Sequence, residues 1–147
     1  MSTRTVPQAG SPMDTRLERV RMASFGALTM VILQVVLGTA YGLWGTGPTS
    51  TQSVGMFSSP LLAIHVVVGI LLVIAAAFLV FRAAQAKAGA VLGSSVVALV
   101  AVLAAFGTGS SFTQNGDNGA SFGMALAAAI AMLCYAANLV ILGRRRG

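Results

Sequence analysis

Charge is what this sequence has least of. Of 147 residues, three are acidic, nine are basic and one is histidine, so charged side chains make up 8%, where soluble domains carry about a quarter. That scarcity excludes an ordinary soluble domain. A single cysteine, Cys134, excludes an internal disulfide and any cysteine-built metal site, and it falls in an apolar run, as a small buried residue does. No nucleophile and base pair, phosphate-cradling glycine loop or zinc spacing is present, which disfavours an autonomous hydrolase or transferase. Gly107-x-Gly109 has no strand before it. Asp117 stands alone among amides in TQNGDNG, short of the several oxygen ligands of a calcium loop, and Asn-Gly and Asp-Asn-Gly favour a turn.

What is present is long apolar runs. Hydrophobic residues make up 56% of the chain. The organising stretch is Pro60 to Arg82, PLLAIHVVVGILLVIAAAFLVFR, which holds the one histidine. As a helix, roughly 20 such residues cross the ~30 Å hydrocarbon layer. Pro60 suits a first turn, and Arg82 can sit at the interface. His65 then lies near one membrane face, pointing at protein, cofactor or water, because a histidine is costly in hydrocarbon.

Taken in order, residues 1–21 read as a disordered tail with a charged lead-in (Arg16, Glu18, Arg19, Arg21). Residues 22–147 form one membrane domain. Its spans fall at about 22–44, 60–82, 88–109 and 120–142. The first span closes on Tyr41 and Trp44, rings that favour the interface; read as a cleaved signal peptide it would be too long. Gly45–Ser59 and the SSFTQNGDNG segment are polar loops, and AAQAKAG is a short turn.

All nine basic residues fall in the N-terminal tail, the 82–87 turn or the C-terminus. This segregation places both termini in the cytoplasm of a cell whose plasma membrane the chain crosses, with His65 and Asp117 on the outer side. The net charge of +6 is therefore a topology signal and does not point to nucleic acid. The partner it implies is the lipid bilayer.

Helical spacing groups the residues that face inward. Ala90, Ser94, Ala98, Ala101, Ala105 and Gly109 form a small-residue packing stripe on the third span. Gln34, Gly38, Tyr41 and Gly45 share a side of the first, and Met124, Ala128, Ala131, Tyr135 and Asn138 a side of the fourth. The fold class is an all-α integral membrane four-helix bundle. LGTA at 37–40 and FGTG at 106–109 form a faint repeat that would make it two successive helical hairpins.

His65 has the most chemical potential. Gly69, Leu72 and Ala76 continue its helix face, so a flat apolar object such as haem can lie beneath the imidazole. Met124 starts its helix at a comparable depth and would complete a His/Met pair. Both residues also have a plainer reading, His65 as an interhelical hydrogen-bonding side chain and Met124 as core packing. The candidate cofactor-binding residues are His65, Gly69, Met124, Gln34 and Tyr41, with His65 and Met124 as metal ligands and haem b as the cofactor.

LQVVLG (33–38), the outer loop, and a helix running from HVVVG (65–69) to Arg82 resemble the four-helix half-unit of the haem A synthase family, over Met30 to Arg144. Of that family's histidine pair, His65 has a counterpart, and the position near Ser121 to Met124 has none. The family's loop cysteines and loop carboxylate are also missing. The resemblance thus implies a haem-b-binding relative and not haem A synthesis. Three functions follow: a small cytochrome for electron transfer near the outer face; a non-catalytic accessory or structural subunit of a membrane complex or homo-oligomer; and a small-molecule carrier. No span is broken by proline or holds an intramembrane charge, which counts against the carrier.

Overall fold

The computed structural model describes residues 12–49, 52–116 and 118–144. Four helices follow one another: α1 (Pro12–Trp44), α2 (Pro60–Gln85), α3 (Gly89–Asn115) and α4 (Asn118–Arg144). Each packs on its two neighbours around a ring, with α1/α3 and α2/α4 as the diagonal pairs. The result is an all-α bundle of two successive hairpins. All four helices are long and apolar enough to cross a membrane. Their outer faces expose Phe25, Leu71, Ile74, Phe78, Val100 and Leu133, a continuous apolar surface that calls for lipid. The chain is a small multi-pass membrane protein.

Helix starts and stops follow local chemistry. Ser59 caps α2, its Oγ accepting from Leu62 N–H at 3.2 Å, with Pro60 in the first turn as expected. The α2–α3 turn closes with Ala88 N–H donating to Ala83 O and Lys87 N–H to Ala84 O, and Lys87 takes a left-handed φ of 50°. Gly116 ends α3 at φ 64°, a conformation glycine adopts at little cost.

The helices exceed the apolar spans. α1 begins at Pro12, so residues 12–21 are helical where a tail and lead-in were expected; the tail as far as residue 11 lies outside the described residues. The extension holds because Val20 is buried, Leu17 packs on the core, and Arg16 donates to Gln85 O at 3.3 Å. α3 likewise runs through Ser110–Asn115, expected to be loop. There Thr113 and Gln114 bond back to Ser110. Asp117 lies outside the described residues.

Every described basic residue, Arg16, Arg19, Arg21, Arg82, Lys87 and Arg144, stands at one end of the bundle. That half is close-packed. Its core rows are Val20 and Ala27 of α1, Leu79 and Ala83 of α2, Val91 and Ala98 of α3, and Tyr135 and Leu142 of α4. The inward row of α3 differs from the small-residue stripe: Ala88, Val91, Ser95, Ala98 and Val102 are buried, Ala90 is exposed, and Ala98 and Ala101 are the fully buried members of the expected set. Alternating steps of three and four keep a row on one side of a straight helix, whereas the expected stripe starts a residue off that line.

Candidate functional site: a cavity at the end away from the basic residues

Toward the other end the four helices separate around a cavity of about 470 Å³, within the size range of small-molecule sites. His65, Gly69, Gln34, Tyr41 and Met124 all line it. Its floor is Val31, Leu72, Val102 and Ala131, one residue from each helix, and no charged side chain is among its lining residues. Val35 and Thr39 of α1 and Ser121 and Ala125 of α4 line the cavity and are also exposed, which places its open side along the α1/α4 seam.

Glycines make the space. A Cβ at Gly38 would stand 3.2 Å from His65 Cε1, so the imidazole edge lies directly on the α1 backbone. A Cβ at Gly69 would stand 2.8 Å from Gln34 Nε2, so the amide lies on α2 in turn. The two helices exchange polar side chains across a glycine on each. His65 approaches the Gln34 backbone, yet its Nδ1 is buried with no hydrogen-bond partner, as is Gln34 Oε1. An unpartnered buried polar atom costs about 1–3 kcal/mol. Both lie in the lining of one cavity, whereas Ser24 Oγ, Tyr135 OH and Asn138 Oδ1, equally without a partner, lie in the close-packed half.

Met124 lines the cavity from α4. It half-buries against α3, its Sδ lying 3.1 Å from where a Cβ at Gly109 would be. The helices α2 and α4 are diagonal in the ring, so His65 and Met124 enter the lining from non-neighbouring helices, the imidazole against α1 and the thioether against α3. Tyr41 is 6% exposed, its OH donating to Thr46 O at 2.7 Å. That bond fixes the first residues of the α1–α2 loop. That loop is also tied to α3 by Val54 N–H donating to Thr113 O at 2.9 Å. Met56 of the loop completes the lining, a contribution that polar loop composition did not signal. Trp44, by contrast, is 80% exposed, as an interface ring should be.

Among the described residues, no group of three His, Cys, Asp or Glu side chains gathers to hold a metal ion. The lining offers one imidazole (His65), two thioethers (Met56 and Met124), one amide (Gln34) and the hydroxyls of Thr39, Tyr41, Ser110, Thr113 and Ser121 among apolar walls. Compared with protein-family models, curated proteins and solved structures, the chain matches none. The likeness to the haem A synthase half-unit thus rests on the residues quoted for it, and any function must be argued from the cavity.

Proposed function

We propose that the cavity binds haem b, which His65 and Met124 would hold, and that the chain is a small membrane cytochrome. The observation that carries this reading is that a half-buried imidazole and a half-buried thioether line one largely apolar cavity. What supports a bound group is the largely apolar lining and the unpartnered His65 Nδ1 and Gln34 Oε1 in it, while Gly38 and Gly69 are the places where the imidazole and the amide themselves pack. Bound haem would supply one-electron transfer, at a potential raised by His/Met ligation. The chain's own share is orientation and exclusion of water. Gln34 and Gly38 brace the imidazole, and Met56 of the α1–α2 loop adds to the apolar lining. The setting proposed is the plasma membrane with both termini cytoplasmic, which puts the cavity on the outer side.

Absorption spectra of protein purified from a haem-replete host test this. Wild type should show a Soret band and His65→Ala should lose it while keeping its helix content, because the apolar spans supply most of the insertion free energy. Met124→Leu should keep haem but lower its reduction potential or admit carbon monoxide. A colourless wild type, or wild-type haem content in His65→Ala, overturns the reading. The accessory-subunit reading has its own support on the outer face of α3, where Gly93 and Gly107 leave open space of the kind that lets a partner helix approach.

A further inference from the structure

Between α1 and α2, in the close-packed half, a groove of about 280 Å³ remains. Gly26, Ala27 and Ala75 leave it shallowly open, Met30 and Phe78 flank it, and Arg82 closes the end nearer the basic residues. From Ala75 to Arg82 is two turns of α2, about 10 Å of apolar length. The groove lies on the lipid-facing side, since Gly26, Phe78 and Arg82 are all exposed. The Arg82 guanidinium is exposed at the end of this groove. A guanidinium at the edge of hydrocarbon calls for an anion, and its planar fork matches phosphate oxygens.

We propose that this seam is a binding site for one anionic glycerophospholipid, its phosphate on Arg82 and part of one acyl chain in the groove. The apolar walls call for an alkyl chain and the end calls for an anion, and only a lipid offers both at this spacing. Selection for net negative charge comes from the neighbourhood. Arg16, Arg19, Arg21 and Lys87 stand at the same end and outnumber its acidic Asp14 and Glu18, so a zwitterionic headgroup would bring its ammonium into a net positive field. Arg16 also clips the start of α1 to the end of α2 through Gln85 O. The lipid therefore binds across a seam that is already closed beyond Arg82. This site is separate from the cavity and stands whether or not haem binds there.

The test is native mass spectrometry of protein released from bilayers holding equal amounts of phosphatidylglycerol and phosphatidylcholine. Wild type should retain one phosphatidylglycerol in preference to phosphatidylcholine. Arg82→Gln should lower that retention about fivefold, the worth of one basic residue at the surface, and Arg82→Lys should restore most of it. Gly26→Leu fills the groove from a position where an added Cβ meets nothing within 4 Å, so the fold tolerates it and the lipid should be lost with Arg82 intact. Arg144→Gln, on α4, should change nothing. Equal retention of both lipids by wild type, or wild-type retention in either Arg82→Gln or Gly26→Leu, overturns the proposal. Loss in Arg82→Gln with retention in Gly26→Leu would mean that phosphate is held without the chain.

Discussion

Asn138 is wholly buried, yet its amide is half used: Nδ2 donates to Ser95 Oγ at 3.1 Å and Oδ1 has no partner. Ser95 Oγ in turn donates to Val91 O at 2.7 Å, so the hydroxyl would not be orphaned if the amide were removed. Asn138→Leu, close in volume, should therefore shift stability by no more than ~1.7 kcal/mol, the upper end for hydrogen bonds between membrane helices. Unfolding of the purified variant in rising detergent denaturant checks this, and a loss well beyond that bound would mean that Oδ1 holds a buried water. Asn138, Tyr135 and Gln34 were legible as inward residues because polar groups are few in apolar spans and must find protein. Ser24 and Ser95 were not, although both are buried. Serine is small enough to bond its own helix, so it gives no sign of which way it faces.

At the scale of helices, two ends use the left-handed conformation with opposite fitness. Gly116 has φ 64° and its backbone abuts the α1–α2 loop, an added Cβ standing 2.7 Å from Pro48 O. Lys87 has φ 50° with a side chain that disfavours it. Gly116→Ala should lower stability by more than ~1 kcal/mol, and Lys87→Gly should raise it by about 0.5–1 kcal/mol. Thermal melts of the two variants in one detergent read the signs, and two shifts of the same sign would reject the account. Span centres were legible from hydropathy alone, since the bilayer demands about 20 apolar residues of each. The ends were not. Residues 12–21 and 110–115 are helical because of Val20 in the core, the Arg16 clip and the Ser110 side-chain bonds, contacts that no window of hydropathy contains.

For the molecule as a whole, the two halves divide the labour. Alanines, valines and serines let the helices close on one another at the basic end, while Gly38, Gly69 and Gly109 receive side chains of neighbouring helices and leave the other half hollow. The cavity was half legible. The spacing of His65, Gly69 and Gln34 marks their faces, but that Met124 lines the same cavity from a diagonal helix depends on the ring order of helices, which no local pattern encodes. Charge couples this asymmetry to the membrane: the basic end resists translocation, so the hollow end should face outward. In a Cys134→Ala background, Ser58→Cys in the loop beside the cavity should react with a membrane-impermeant maleimide in intact cells. Lys87→Cys, in the turn at the basic end, should react after permeabilisation alone. The two sites are separated by one span, α2, so labelling of both from the same side would remove that span. The reverse pattern, with Lys87→Cys labelled from outside, would keep the four-span bundle and put the cavity on the cytoplasmic side. A haem held there would then exchange electrons with soluble cytoplasmic partners and not at the outer face.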